Sequence, residues 1–184
     1  MILRDEASPN EKGHAVFAPV KEEPIKYFFK RPDHIPSGIL DQIQNLIKEG
    51  EAVGTAWVTE NLERAYLIGY AIHKGQVIGS ITHKYPKEEY RKKIEAATGL
   101  DLSGYLERGY TIVRPEYQRQ GIGDAILKGL VQRSKGKKIY VTIRMDNIPP
   151  LRLTYKNDMV LAAKFSNPIT GHEIGVFTNQ DISK

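Results

Sequence analysis

At 184 residues, with 40% hydrophobic and 27% charged residues, the chain can bury one core and has the composition of an ordinary globular protein. The absence of cysteine excludes disulfides, thiolate catalysis and cysteine-ligated metals, and the five histidines show no metal-ligand spacing, so we expect no metal. The net charge of +5 is compatible with an anionic ligand, but basic and acidic residues are interleaved, which favours a solvated surface over a nucleic-acid partner.

The N-terminus carries no recognisable leader, because the chain turns polar directly after Met1-Ile2-Leu3. No apolar run approaches the length of a transmembrane helix. We therefore expect a cytoplasmic protein with no membrane partner.

Strands and helices are predicted to alternate along the chain. Residues 1–24 are polar and hold three prolines, so we assign them to an N-terminal extension and residues 25–184 to one domain. Strands are predicted at 25–29, 66–72, 76–82, 105–113, 138–144, 159–165 and 173–177. Helices are predicted from an N-cap at Ser37 to Gly50, from Pro86 to about Gly99, from Ile122 to Arg133 and from Pro149 to Lys156, with residues 51–64 ambiguous. This order predicts an α/β domain with a mixed sheet.

The most informative segment runs from Gly109 to Leu127. It has the pattern of a strand, a turn, a glycine-bearing loop and the first turns of an amphipathic helix. In such a loop several backbone N–H groups converge at the positive end of the helix dipole, which suits a phosphate or a pyrophosphate. The segment therefore predicts a phosphorylated ligand.

Within this segment, Gln118-Arg119-Gln120-Gly121-Ile122-Gly123 fits the signature Gln/Arg-x-x-Gly-x-Gly/Ala, and the chain resembles the GNAT superfamily of acetyl-CoA-dependent N-acetyltransferases. Residues 113–117 are also similar to that family, as is the later order of helix, strand, Asn147, helix, Tyr155 and closing hairpin. The resemblance covers residues 66–177, and residues 25–50 fit the family's first strand and helix. It implies a single-domain fold with a mixed, mostly antiparallel sheet of six to seven strands, flanked by helices, in which a central pair of strands splays apart.

The resemblance implies acetyl-CoA as co-substrate, held without a metal. Gly121 and Gly123 lack a Cβ, so the backbone can approach a bulky diphosphate. The residues implied in pyrophosphate binding through their amides are Gln118, Arg119, Gln120, Gly121, Ile122, Gly123 and Asp124. Arg114 and Arg119 would make charge contacts to the phosphates, or would only be solvated.

The strand before the loop is implied to hold the pantetheine arm. Gly109 weakens a strand unless a bulge or a close approach is needed there. By resemblance, this strand bulges away from the next one and contacts pantetheine through the backbone of Ile112 and Val113, with an N–H at the bulge facing the thioester oxygen. Asn147 would hydrogen-bond the same arm, or would only cap the helix that follows.

Glu107 is the candidate general base. It lies eleven residues before Gln118, a spacing that matches the catalytic glutamate of the histone-acetylating members of the family. A lysine-type amine, with a pKa of about 10.4, must lose a proton at a cost of roughly 4 kcal/mol at neutral pH, whereas for an α-amino group the cost is below about 1 kcal/mol. The alternative is an exposed strand residue that pairs with a lysine.

Tyr155 is the candidate general acid that would protonate the departing CoA thiolate. The family commonly carries a tyrosine on the helix after the asparagine. Here Tyr155 follows Asn147 by eight residues, where seven is commoner. A packing role for this ring is the alternative.

The acceptor side is less well defined by the sequence. Residues 84–103 resemble an insertion between two strands that many family members join tightly, and they would lie near the acceptor. Trp57, Tyr85, Tyr90 and Tyr105 are candidate lining residues, or ordinary packing residues.

Taken with the resemblance, the residues predict acetyl transfer from acetyl-CoA to a primary amine of a small molecule or a protein, by direct attack in a ternary complex. A non-catalytic domain that senses CoA or binds a partner is one alternative, and a nucleic-acid-directed member of the family is another. A homodimer stays open.

Overall fold

Seven strands and five α-helices alternate in the residues that the computed structural model describes, 23–50, 57–180 and 182. The strands are β1 Lys26–Lys30, β2 Ala65–His73, β3 Gln76–Lys84, β4 Leu106–Val113, β5 Ile139–Arg144, β6 Val160–Ser166 and β7 Glu173–Thr178. The helices are α1 Ser37–Glu49, α2 Val58–Glu63, α3 Glu88–Thr98, α4 Ile122–Arg133 and α5 Ile148–Lys156. The predicted N-terminal extension up to residue 22, and residues 51–56 of the ambiguous segment, lie outside the described residues.

The strands form one sheet in the order β1-β2-β3-β4-β5-β7-β6. Every neighbouring pair is antiparallel except β4 and β5, which run parallel. The predicted α/β fold with a mixed, mostly antiparallel sheet is therefore confirmed.

Helices cover both faces of this sheet. On one face, α1 and α2 pack against β2 and β3 through residues such as Ile43, and α3 packs Ile94 against Tyr140 of β5. The next residue of β5, Val141, points to the opposite face and packs with Leu151 of α5, beside the core of α4. Because consecutive strand residues point to opposite faces, the side chains of β4 and β5 alternate between the two helical layers.

The central strands β4 and β5 separate soon after they meet. Their pairing is limited to Leu106 with Ile139 and Glu107 with Tyr140. Farther along β4, the register against β3 shifts between Ser80 and Thr82, and Tyr110 has a left-handed φ of 46°. This is a β-bulge, which bends the strand and increases its local twist. The predicted splayed pair is present, and its gap is open from residue 108 of β4 and residue 141 of β5 onward.

Several predicted element ends differ from the structure by one or two residues. Ser37 is the first residue of α1 rather than its N-cap, since Pro36 holds the N-cap position without a side-chain bond. The helix predicted to open at Pro86 begins at Glu88 and ends, as expected, at Gly99, whose φ of 72° suits a glycine C-cap. Residues 84–103, the predicted insertion, thus contain α3.

Candidate active site

The gap between β4 and β5 opens into a cavity of about 680 Å³. Side chains from both strands line it, and α2, α3 and α5 contribute Asn61, Tyr90 and Pro150. The cavity therefore has access from both helical layers of the fold, with the edges of two strands as its walls.

Glu107 lies at the closed end of this gap, in the last residue pair that joins β4 to β5. Its side chain is 11% exposed, and one carboxylate oxygen lies 3.1 Å from the Nζ of Lys84. Burial raises the pKa of Glu107 above its ordinary value, although the charge of Lys84 opposes the rise. The alternative that the sequence left open for Glu107 was an exposed strand residue that pairs with a lysine. The structure has the lysine but buries the pair in the cavity wall, where a carboxylate with a raised pKa can accept a proton from an amine.

Gly109 explains how Lys84 reaches Glu107. A Cβ on Gly109 would lie 2.7 Å from the Cε of Lys84, so the lysine stem runs directly over the glycine. The Nζ also lies 5.2 Å from the ring centroid of Tyr110. The sequence predicted either a bulge or a close approach at Gly109. The structure shows the close approach at Gly109 itself, and the bulge lies at the residues that follow it.

The start of α3 covers the side of the cavity that lies next to α2. The Tyr90 hydroxyl lies 2.8 Å from the Oγ1 of Thr142, so it bridges α3 to β5. The Nζ of Lys87 lies 3.6 Å above the ring of Trp57, which precedes α2. Both aromatic residues line the cavity, as predicted.

The other two predicted lining residues lie elsewhere. Tyr85 and Tyr105 line a separate cavity of about 260 Å³, together with Tyr66 and Lys137. This second cavity lies beyond the paired end of β4 and β5, because Tyr105 precedes the residues that pair. The prediction that Tyr85 and Tyr105 line the acceptor site is therefore corrected.

The glycine loop before α4 presents a row of backbone donors. The first helical hydrogen bond runs from the Ala125 N–H to the Gly121 carbonyl, and the amides of residues 119–124 have no acceptor within the described part of the chain. Arg119 has a φ of 60° and Gly121 a φ of 79°, and this alternation of left-handed residues turns successive N–H groups into one concave site. The loop has the donor set and the helix terminus that a pyrophosphate requires.

The side chains of Gln118 and Gln120 both donate hydrogen bonds to backbone carbonyls that precede the loop. The Gln118 N–H donates to the carbonyl of Pro115 at 3.2 Å, and its side chain donates to the Val113 carbonyl at 3.0 Å. The Gln120 side chain donates to the Glu116 carbonyl at 3.0 Å. The predicted amide contact from Gln118 is therefore not supported, whereas the Gln120 amide stays in the row.

The backbone of Ile112 faces away from the gap. The Arg114 N–H donates to the Ile78 carbonyl of β3, so alternation directs the backbone of Ile112 toward β3 and that of Val113 toward β5. The Ile112 side chain packs with the α1 core. The geometry supports Val113 as a backbone contact for pantetheine and does not support Ile112.

The two candidate arginines differ in their surroundings. Arg114 donates to the Val77 carbonyl at 3.0 Å and lies 3.5 Å from Glu49 of α1, so its guanidinium is engaged on the α1 side. The Arg119 side chain is exposed in the loop itself and makes no hydrogen bond or ion pair to a described residue. The structure favours Arg119 over Arg114 for a phosphate contact.

Asp124 and Asn147 complete the rim on the side of α4 and α5. The Asp124 carboxylate lies 2.9 Å from Lys156 and 3.0 Å from Lys128, and these contacts, led by Lys156, hold its pKa below the ordinary value. Asn147 lines the cavity at the N-cap of α5, but its side chain makes no capping bond. The alternative that the Asn147 side chain caps α5 is therefore not supported.

Comparison with known proteins decides the family. The model of the acetyltransferase (GNAT) family matches residues 66–157, which is half of the chain. The chain belongs to the GNAT acetyltransferase family. No curated protein matches its sequence significantly.

Solved structures of GNAT proteins share the fold at low sequence identity. An acyl-CoA N-acyltransferase from Pseudomonas aeruginosa is 11% identical with a TM-score of 0.63, over 85% of this chain and 100% of its own. Arabidopsis thaliana NAA60 in complex with acetyl-CoA is 14% identical with a TM-score of 0.62, over 83% and 98%. The ribosomal-protein-S18-alanine N-acetyltransferase from Escherichia coli is 14% identical with a TM-score of 0.59, over 86% and 96%.

As a GNAT protein the chain uses acetyl-CoA, and the open amides of the loop fit its diphosphate. Among the described residues, no group of three or more histidine, aspartate or glutamate side chains is arranged to hold a metal ion. None of the described helices is long and apolar enough to cross a membrane.

Tyr155 does not reach the cavity of this GNAT domain. Its side chain is 53% exposed, and its ring packs edge-on against Phe177 with the centroids 5.3 Å apart. Thr154, seven residues after Asn147, is fully buried and accepts a hydrogen bond from Arg108 of β4. One residue corresponds to a rotation of about 100° around a helix, so only one of these two neighbours can face β4. This geometry does not support the prediction of Tyr155 as the general acid.

We expect Tyr155→Phe to leave kcat unchanged, because the ring contact with Phe177 is kept and only a solvent-facing hydroxyl is lost. Steady-state kinetics of acetyl transfer with saturating acetyl-CoA measures the effect. A fall in kcat of about 10²-fold, the usual size of a proton-transfer contribution, would restore Tyr155 as the acid.

Sequence reasoning missed Arg108. This side chain is 3% exposed, contributes to the cavity wall and donates to Thr154 and Met159. A charged residue next to Glu107 in a strand points to the opposite face, but its burial depends on α5 and on Met159, which the local pattern does not place.

Proposed function

We propose that this GNAT protein acetylates a primary amine by direct attack of the amine on acetyl-CoA in a ternary complex, with Glu107 as the general base. The observation that carries the proposal is the position of Glu107. It is a buried carboxylate of raised pKa in the wall of the cavity that opens from the gap between β4 and β5.

The co-substrate is assigned to the α4 and α5 side of the gap. The amides of residues 119–124 would hold the diphosphate at the N-terminus of α4, with Arg119 adding charge. Val113 and the free side chain of Asn147 would position the pantetheine arm. When bound, acetyl-CoA supplies the activated acetyl group, and the chain's own residues orient it and accept the proton.

The acceptor is assigned to the α2 and α3 side, where Glu107 faces Lys84 and lies close to Tyr90. Burial raises the pKa of Glu107 toward the pH at which the protein works. A higher pKa makes the carboxylate a stronger general base, although a smaller fraction of it is ionised. The proton that leaves the amine as the N–C bond forms would be held on the Glu107 carboxylate, and Lys84 would stabilise the ionised form before each turnover.

The charges around the cavity bear on the class of amine. Four cationic residues contribute to its wall, Lys84, Lys87, Arg108 and Arg144, and Glu107 is the one carboxylate among the described lining residues. Glu107 already pairs with Lys84, while Lys87 and Arg144 pair with Glu60 and Asp146, which lie outside the wall. Such a wall offers no free carboxylate to a polycation and suits an amine of low positive charge. We therefore propose a monoamine or a single lysine-type or α-amino group as acceptor.

The test is a panel of amines incubated with the protein and acetyl-CoA, with the released CoA thiol as readout. The panel contains a lysine-type monoamine, an α-amino peptide and a polyamine. We expect release of CoA with at least one of the first two and the slowest release with the polyamine.

Binding of CoA in calorimetry without release of thiol from any amine of the panel would contradict the proposal. That result would favour the alternative of a non-catalytic, CoA-sensing domain. Fastest turnover with the polyamine would overturn the acceptor class alone.

A further inference from the structure

Arg108 is a buried cation that lacks a carboxylate partner in the described part of the chain. Its Nη1 donates to the Sδ of Met159 at 3.4 Å, its Nη2 donates to the Oγ1 of Thr154, and its Nε has no partner. Burial alone lowers the pKa of Arg108, to about 10. Because a buried charge is costly unless it is paired, this arrangement indicates that an anion from outside these residues completes the site.

The elements packed around Arg108 supply no negative charge. His83 of β3 lies opposite it in the register, and burial followed by the charge of Arg108 lowers the pKa of His83 to about 3, so the imidazole is neutral at physiological pH. Its Nδ1 lies 2.8 Å from the Oγ of Ser134 at the end of α4. α5 and the segment after it contact the Arg108 guanidinium through two uncharged groups, the Thr154 hydroxyl and the Met159 thioether.

The position of Arg108 in β4 indicates which anion would pair with its guanidinium. Glu107 and Arg108 are consecutive, so the carboxylate faces the α3 layer and the guanidinium faces the layer of α4 and α5. Both contribute to the cavity wall at the point where β4 and β5 separate. The glycine loop leads into α4, so the guanidinium shares its layer with the proposed diphosphate site.

We propose that Arg108 is a catalytic residue that stabilises the CoA thiolate as it departs, by charge and without giving up its proton. Thr154 and Met159 hold the guanidinium in place. The inference rests on the acetyl transfer proposed above, and it assigns the leaving-group role to a residue other than Tyr155.

The step balances without a proton donor at the sulfur. The amine nitrogen forms a bond to the acetyl carbon, the bond from that carbon to sulfur breaks, and its electron pair stays on sulfur as the thiolate. The attacking amine enters this step uncharged and loses one proton as the amide forms, and that proton goes to Glu107. Since a thiol has a pKa of about 8.5 and Arg108 one of about 10, the proton stays on the guanidinium and the pair remains ionic until CoA leaves.

The test measures the thiol of bound CoA itself. Thiolate absorbance in the ultraviolet is titrated with pH for CoA bound to the wild-type protein and to Arg108→Met. We expect the wild-type protein to lower the pKa of the bound thiol by about one to two pH units relative to free CoA, as a nearby opposite charge does, and Arg108→Met to abolish this shift. Arg144→Met is the matched control, because Arg144 also contributes to the cavity wall but its guanidinium pairs with Asp146.

Binding of desulfo-CoA separates this role from a structural one. We expect Arg108→Met to weaken CoA relative to desulfo-CoA at pH 9 and to bind desulfo-CoA as tightly as the wild-type protein does. An equal loss for both ligands, or the same thiol pKa in the wild-type protein and Arg108→Met, would overturn the inference. If Arg108→Met does not fold, the wild-type titration decides alone, since an unshifted thiol overturns the role. Failure of acetyl transfer in the wild-type protein would refute the proposed function, and the thiol titration would still report on Arg108.

Discussion

Glu107→Gln is expected to lower kcat for a lysine-type acceptor by about 10²–10⁴-fold, while the Kd for acetyl-CoA stays unchanged. Glutamine keeps the size of the side chain but cannot accept the proton that the amine must lose. We propose that acetyl-CoA binds on the opposite face of β4, so the loss of the Glu107 carboxylate should not alter the Kd for acetyl-CoA. Steady-state kinetics and calorimetry with acetyl-CoA measure the two quantities on the same preparation.

The pH profile identifies the base. Glu107 must be ionised to accept a proton, so kcat/KM should fall as the pH drops through the pKa of Glu107, which burial places above the ordinary value of 4.5. This acid limb should vanish in Glu107→Gln. In Lys84→Met it should move to higher pH, because Lys84 is the charge that opposes the rise.

Glu173→Gln provides the matched control for this prediction, since Glu173 of β7 is a surface carboxylate that also pairs with a lysine, 3.0 Å away. It should alter neither kcat nor the acid limb. If Glu107→Gln kept the wild-type rate with a lysine-type amine, the protein would need a different base.

The fold and the conformation of the glycine loop before α4 were predictable because their signals are local. Hydrophobic periodicity fixes whether a segment is a strand or a helix, and the pair Gly121 and Gly123 marks a loop that leads into a helix. The bounds of α4 agree with the sequence prediction, and the loop has the left-handed φ at Gly121 that only glycine adopts freely.

The roles of single side chains were less predictable, because they depend on helix phase and on distant packing. Tyr155 and Thr154 differ by one position, and only packing of α5 on β4 decides that Thr154 faces inward. Glu107 is buried beside Lys84, whose side chain crosses over Gly109 to reach it. Arg108 is buried by α5 and Met159, which are far from it in sequence.

The direction in which the backbone N–H groups of β4 point could not be predicted from the sequence either. The residues chosen for the pantetheine contact, Ile112 and Val113, are adjacent, so their N–H groups face opposite neighbours whatever the register. The bulge at Tyr110 sets which of them faces the open gap. Gly109 indicated a bulge or a close approach in β4, but it did not fix which residue bulges.

Gly121→Val should raise the Kd for CoA by about 10²-fold or more. Gly121 has a φ of 79°, and a β-branched residue held in that region costs about 1–3 kcal/mol. The loop would relax to another conformation, and the amides of residues 119–124 would no longer converge. Loss of two hydrogen bonds to a charged group, each worth about 1.5–3 kcal/mol, accounts for a change of this size. Calorimetry with CoA measures it.

Gly136→Val separates the site from general strain. Gly136 has a φ of 81°, and, as at Gly121, a Cβ there would meet no atom within 4 Å, so the two substitutions impose the same local cost in open space. Gly136 lies in the turn after α4, at the end opposite the loop, so we expect unchanged CoA affinity in this variant. An equal loss in both variants would mean that strain, and not the loop, controls binding.

A donor without a diphosphate gives the complementary measurement. With the acetyl thioester of N-acetylcysteamine, Gly121→Val should turn over a lysine-type amine at the wild-type kcat/KM, because this donor has no group for the loop to hold. If Gly121→Val lost activity equally with both donors, the damage would extend to the cavity. If it kept full affinity for CoA, the diphosphate would be held somewhere other than the loop before α4.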